Sequence, residues 1–252
     1  MSKYYFFVLF RGLFTHNRCS FLSTVEHACH VTMSVSKLLS RIVSPEVMEK
    51  EMLGSGAFLE QDIALHLHDY TYGINSDPLA MFAMTFSALI HDVDHQGVSN
   101  MQLGTENPDM ADKYHNKSLA EQNSLDCSWT ILMEDRFAKL RTFLFASQEE
   151  LLRFRQLIVN VVLATDIFDK ELNDLRKRRW QQAFAGEQVS EGSVHDKDLR
   201  ATIVIEHIIQ ASDVSHTMQH WHVYQKWNKR LFEEMYAAFV AGRMGKDPAT
   251  FW

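Results

Sequence analysis

Three short segments of this 252-residue chain gather side chains that hold metals or move protons. They are His27-Ala28-Cys29-His30, His91-Asp92-Val93-Asp94-His95-Gln96-Gly97 and Ala211-Ser212-Asp213-Val214-Ser215-His216. Imidazole and carboxylate donors together suit Zn, Mn or Fe, and carboxylate with water suits Mg. His91 and His95 stand at i and i+4, a spacing that predicts one helical face. Two His and two Asp within five residues follow the mostly apolar run Leu79 to Ile90. Burying four such groups unpaired costs several kcal/mol, and a shared cation removes that cost. The 13 histidines of the chain, grouped near Asp, point the same way.

The elements that must position these groups read as helices. Val31, Val35, Leu38, Leu39 and Ile42 recur at helical spacing and end before Pro45. Asp77-Pro78 is an N-cap followed by Pro at the first helical position, and the helix it opens delivers His91-Asp92. Ser118 with Glu121 and Ser147 with Glu150 read as capping boxes. The second opens a helix through Leu151, Phe154, Ile158, Val161 and Val162. Further helices are predicted over about 169–184, 197–216 and 218–241, and residues 44–76 read as a long connection with a short helix. No repeat, low-complexity tract or Gly/Ser linker divides the chain. The fold class expected is a single all-α domain, a compact multi-helix arrangement, with no strand beyond the doubtful Tyr4 to Phe10 run.

Composition removes several classes of function. Hydrophobic residues make up 46% and charged residues 23%, which is globular usage and excludes collagen-like and disordered chains. A net charge of −7 argues against dedicated nucleic-acid binding. Three separated cysteines, Cys19, Cys29 and Cys127, form neither a disulfide framework nor a CxxC knuckle, so a reducing, cytoplasmic setting is expected. No stretch reaches the ~18 apolar residues of a membrane-spanning helix. Tyr4 to Phe10 lacks the small-residue pattern of a cleaved signal, and membrane association in a fuller protein stays open.

The segment HDVDHQGVSN (91–100) resembles the signature of the class I cyclic-nucleotide phosphodiesterases, a branch of the HD hydrolases. YHNKSLAEQNSL (114–125) and ASDVSHTMQHWHVYQKWN (211–228) are similar to two further blocks of that family, and the likeness runs from about residue 25 to the C-terminus. It implies an HD/phosphodiesterase-like fold and hydrolysis of cyclic AMP or cyclic GMP to the 5′-monophosphate in signalling. By position it assigns His27, His91, Asp92 and Asp213 as metal ligands. Asp92 would also touch a second ion, with Zn expected at the first site and Mg or Mn at the second. His95 and Glu121 match catalytic positions beside the second ion. Thr165, Asp166 and His216 match the substrate pocket. Two ions would polarise the phosphoryl group and lower the pKa of an attacking water, and the departing 3′ oxygen would take a proton from a general acid.

The chain departs from the family at that acid. The family block reads Tyr-His-Asn-x-x-His-Ala, and here the aligned residues are Leu22-Ser23-Thr24-Val25-Glu26-His27-Ala28. Ser23 therefore stands where the proton-donating histidine belongs, and a serine hydroxyl is no acid near neutral pH. His16-Asn17 looks like a displaced copy, eleven residues before His27 instead of four. The resemblance gives residues 1–24 as an atypical N-terminal segment and 25–252 as a partial catalytic domain, since the residues that clamp the base would lie beyond Trp252. Little turnover of cyclic AMP is expected. A non-catalytic fragment or pseudoenzyme of the same family is the alternative, and another HD-type nucleotide phosphohydrolase is a further one. The blocks at 114–125 and 211–228 argue against the last. Homo-oligomerisation or absent regulatory domains are the remaining partner expectations.

Other features read as structural. Arg176-Lys177-Arg178-Arg179, with Glu171 and Asp174 ahead, is expected to be a solvated helix face. Gly54-Ser55-Gly56 lacks the Lys-Ser/Thr of a phosphate loop. Trp221, Tyr224 and Trp227 are expected to pack. His66, His68, Asp69, His220 and His222 are expected at the surface.

Overall fold

A computed structural model describes residues 21–42, 68, 71–184 and 194–250, with the side chains of 21–24 and 194–196 outside that description. The described residues form ten α-helices and no strand. In chain order these are α1 (Phe21–Leu39), α2 (Pro78–Ile90), α3 (Asn100–Glu106), α4 (Pro108–Lys113) and α5 (Leu119–Met133). They continue as α6 (Ala138–Leu144), α7 (Gln148–Leu163), α8 (Lys170–Phe184), α9 (Val194–Asp213) and α10 (Trp221–Val240).

Helix α2 is the central strut. Its sequence, PLAMFAMTFSALI, is apolar all round, the signature of a helix covered on every side. Ala83, Phe86 and Ile90 pack into a core shared with Phe137 and Leu140 near α6 and with Phe154 and Ile158 of α7. Met84 and Ala88, on the other side, pack against Val31, Val35 and Leu39 of α1 and Ile205, Ile208 and Ile209 of α9. The Phe154 ring is fully buried, 5.4 Å from the ring of Phe82, 5.5 Å from Phe86 and 5.0 Å from Phe145. Burying one such side chain contributes roughly 1.5–3 kcal/mol. A smaller core of Leu103, Tyr114, Leu119 and Ala120 seats α3 and α4 against α5.

The caps read from sequence fare differently. Asp77 accepts from the backbone N–H groups of Leu79 and Ala80, both at 3.0 Å, and Pro78 occupies N1. Ser147 accepts from Glu150 N–H, and Glu150 reaches back to the N–H of Ala146. Ser118 does not cap α5. Its backbone lies in the left-handed region at φ 42°, and its hydroxyl donates to Asp166 Oδ2 at 2.7 Å instead. A tertiary partner has taken the oxygen that a local cap would use.

The basic run of α8 also departs from expectation. Lys177 and Arg178 are exposed, but Arg176 donates to the carbonyls of Leu163 and Asp166, and Arg179 pairs with buried Glu206 at 2.6 Å. Two of the four cations thus fasten α8 to α7 and α9. Of the connection over 44–76, the described part ends in a 3-10 turn at Ile74–Ser76. Tyr4 to Phe10, His16, Gly54 to Gly56, His66 and Asp69 lie outside the described residues. His68, His220 and His222 are exposed.

Candidate metal centre

Four side chains from three distant parts of the chain meet at one point. His27 comes from the second turn of α1, His91 and Asp92 follow the last residue of α2, and Asp213 ends α9. His27 Nε2 lies 2.9 Å from Asp213 Oδ1 and 3.6 Å from Asp92 Oδ2. His91 Nε2 lies 3.3 Å from Asp92 Oδ2 and 3.4 Å from Asp213 Oδ1. One donor atom each of His27, His91 and Asp92 falls within 4.8 Å of the others. Asp92 and Asp213 stand where two helices, α2 and α9, present their C-terminal ends, so the partial negative charge of both helices adds to that of the carboxylates.

The donor chemistry fits a divalent cation. His91 Nδ1, at 3.0 Å, donates to the carbonyl of Ala88, which fixes the ring and leaves Nε2 as the free lone pair. That Nε2 is fully buried and makes no hydrogen bond. It is near two carboxylate oxygens without being aligned to either. A buried nitrogen left this way costs ~1–3 kcal/mol, and a cation at the shared point would recover it.

The charges hold one another in the same sense. Burial alone would lower the pKa of His91, but the charge of Asp92 and the contact with Asp213 outweigh it and carry it well above the usual imidazole value, so a cation binding at Nε2 would displace a proton from it. Burial would raise Asp213, but His27 and His91 hold it well below the usual carboxylate range. Asp92 is held low in the same way by His91, although a third of its side chain remains open to solvent.

Beyond Asp92 the chain turns sharply. Helix α2 has ended, so His91 and His95 do not share a helical face as their spacing predicted. Asp94 adopts φ 61° and Gly97 φ 69°. Asp94 is steadied by Asn123 and Gln96, whose amides donate to its carboxylate. The positive φ at Gly97 favours glycine, and a Cβ there, within 2.8 Å of Glu234 Oε1, would also make that carboxylate shift. The turn brings His95 Nδ1 to accept from Gly97 N–H at 3.2 Å, with Glu234 Oε1 3.9 Å from the same nitrogen.

Glu121 belongs to a second polar group. Asn100 Nδ2 donates to Glu121 Oε2 at 3.0 Å and to Asp166 Oδ2 at 3.3 Å, while its Oδ1 accepts from Ala120 N–H. Burial raises the Glu121 carboxyl and nearby Asp166 raises it further, against the Asn100 hydrogen bond. Asp166 is itself fully engaged. Its Oδ1 accepts from the N–H groups of Phe168 and Asp169, and its Oδ2 from Ser118 and Asn100. Thr165 donates its hydroxyl to Val162 O. Asn100 closes the quoted signature at 91–100, yet sequence reasoning gave it no role. Its pairing of two carboxylates becomes visible only when α3, α5 and α7 are brought together.

On the other side of His27 stands Trp227. Its indole lies 5.6 Å from His27, 5.4 Å from His30 and 5.8 Å from His216, ring centre to ring centre. His30 and His216 each bury an Nδ1 with no hydrogen-bond partner. Burial lowers the pKa of both rings, which favours the neutral form. Trp227 thus packs as expected, but against the histidines of the centre. Trp221 is exposed and stacks on Tyr224. Ser23 falls in the first turn of α1, four residues before His27, and its side chain lies outside the described residues.

A family model described as 3′5′-cyclic nucleotide phosphodiesterase matches residues 24–244. The chain belongs to this family. The probable 3′,5′-cyclic-AMP phosphodiesterase pde-4 of Caenorhabditis elegans is 31% identical over 158 residues, covering 62% of this chain and 23% of that protein. The dual specificity calcium/calmodulin-dependent 3′,5′-cyclic nucleotide phosphodiesterase 1C of Mus musculus is 27% identical over 158 residues, covering 63% of this chain and 20% of that protein. The aligned part of the chain therefore spans about a fifth of the length of these relatives. The crystal structure of the phosphodiesterase domain of the RhoPDE fusion protein from the choanoflagellate Salpingoeca rosetta has the same fold. Its TM-score is 0.65 at 17% identity, over 95% of this chain and 62% of that one. Among the described residues, no helix of this family member is long and apolar enough to cross a membrane.

Proposed function

We propose that this chain acts on 3′,5′-cyclic nucleotides, cyclic AMP or cyclic GMP, by metal-dependent hydrolysis of the 3′ phosphoester bond to give the 5′-monophosphate. The observation that carries the reading is the grouping of His27, His91 and Asp92, with Asp213 Oδ1 against both histidines and a buried His91 Nε2 that no hydrogen bond satisfies. Family membership supplies the reaction class, and the cytoplasm is the setting we assign.

In this reading the four residues hold a zinc ion, and Asp92 also faces a second ion, Mg or Mn. Bound divalent ions supply Lewis-acid polarisation of the phosphoryl group and a water of lowered pKa. The chain's own groups do the rest. Ala88 O fixes the tautomer of His91. Buried Glu121, with its pKa raised, accepts protons more readily than an exposed glutamate and takes the role of ordering water beside His95. To His216, neutral and next to Trp227, and to Thr165 and Asp166 we assign the substrate pocket.

Ser23 favours a second reading, in which the chain binds metal and phosphate but turns over natural substrate poorly. The 3′ oxygen departs as an alkoxide and needs a proton that a serine hydroxyl does not give. A nitrophenyl phosphodiester, whose leaving group needs no proton, separates the two readings. Hydrolysis of both it and cyclic AMP supports the first. Hydrolysis of the activated ester alone supports the second. Hydrolysis of neither by the zinc- and magnesium-loaded chain overturns the catalytic reading.

A further inference from the structure

Residues on α10 reach across to α1 beside the centre. Glu26, the residue before His27, receives Lys226 Nζ on Oε1 and Arg230 Nη1 on Oε2, the latter at 2.6 Å as a close ion pair without the alignment of a hydrogen bond. Lys226 and Arg230 stand at i and i+4 on α10, so both project from one face. Between them is Trp227, buried, with Arg230 5.3 Å and Lys226 6.0 Å from its ring centre. The opposite reach of the indole ends on His27. One carboxylate thus gathers two cations that flank the ring buttressing a proposed metal ligand.

We infer that Glu26 is a positioning residue for the metal centre: by clamping Lys226 and Arg230 it seats Trp227 against His27 and sets the direction of the His27 imidazole. The Glu26 side chain is only partly buried, at the contact between α1 and α10. The other polar contacts of α10 and its flanks include Gln219 with His30 Nε2 at 2.7 Å just before the helix, Glu234 with His95 Nδ1 at 3.9 Å, and beyond the helix Arg243, which pairs with Glu106 through Nε at 2.8 Å and Nη2 at 2.6 Å. None of these touches His27, and the Arg243–Glu106 pair is the one remote from it. Loss of the Glu26 clamp would leave α10 attached but free the indole to shift, and an imidazole without its wall samples directions that do not meet Asp213.

The inference rests on the metal reading above, and the test separates the two. Zn²⁺ affinity of the full chain is measured by competition with a chromophoric chelator, alongside thermal unfolding with metal removed. Glu26→Gln should weaken Zn²⁺ binding about tenfold, the lower end of what supporting partners of metal ligands contribute. Lys226→Met, made on the other helix, should do the same. Glu106→Gln, which cuts the remote attachment, should not. The gap between the native chain and Glu26→Gln should close in ~1 M salt, where the screening length falls to ~3 Å. Native Zn²⁺ affinity in Glu26→Gln overturns the inference, as does a loss equal to that of Glu106→Gln. If Glu26→Gln fails to fold, Lys226→Met decides alone. If the native chain binds no Zn²⁺, the metal reading falls and this inference falls with it.

Discussion

His91 shows how few freedoms a ligand needs to lose. One nitrogen is committed to Ala88 O and the ring is buried, so the other can face only Asp92 and Asp213. Asp213→Asn keeps the shape of that site and removes one charge. Metal affinity should then fall by at least ~10²-fold, beyond what supporting partners contribute, and the rise in melting temperature on adding Zn²⁺ should vanish; a calorimetric titration checks both. Ser23 has the opposite character, since it bears on protonation and not on metal. Ser23→His should raise kcat for cyclic AMP by up to ~10²-fold, at the low end of general acid catalysis, with far less change for a nitrophenyl phosphodiester. Equal rates before and after the change would mean that another group delivers the proton. The converging histidines and aspartates were legible as candidates because imidazole and carboxylate crowd together in short runs between apolar ones. Asn100, Glu26 and Trp227 were not assigned roles at the centre, because an amide, a carboxylate and an indole are ordinary residues until their neighbours from other helices are known.

Helices reveal themselves by period and caps, and this chain shows where that stops. Asp77 was readable as an N-cap because both its partners are within three residues. Burial pushes its carboxyl up, but Arg153 and the N–H groups of Ala80 and Leu79 more than offset this and leave it below its ordinary value. The stabilisation it gives is therefore complete above pH ~4–5 and lost as the pH falls through the lowered value. Asp77→Ala should cost about 1 kcal/mol near neutral pH, measured by urea unfolding, and the difference from the native chain should shrink towards pH 3. Ser118 had an equally good local pattern and failed, because Asp166, 48 residues away, offered its hydroxyl a better acceptor. His91 and His95 failed as a helical pair because α2 ends at Ile90 and the left-handed turn at Asp94 redirects the chain. Local pattern decides an element only where no distant group competes for the same atom.

At the scale of the molecule, α2 ties two apolar cores together, and damage to either should reach the site. Phe154 fills the first core among three other rings. Phe154→Ala should cost about 3–5 kcal/mol, lowering the urea midpoint with little change in slope, and Zn²⁺ affinity of the fraction that stays folded should be retained because the ligands hang from the ends of α1, α2 and α9. The all-helical class was plain from sequence, while the order of packing was not, since periodicity says which face is apolar and not which neighbour covers it. His27 and Asp213, in contact at 2.9 Å, are 186 residues apart in the chain. During synthesis at ~5–20 residues per second, the first of them waits roughly 10–40 s before the last exists. Once α2 has been made, Val31, Val35 and Leu39 have it to lean on but not α9, so α1 waits as a half-covered helix. Asp213, at the end of α9, is then the last of the four converging residues to be made, and a ribosome-bound chain halted before α9 should be cleaved by protease within α1 while the released chain resists.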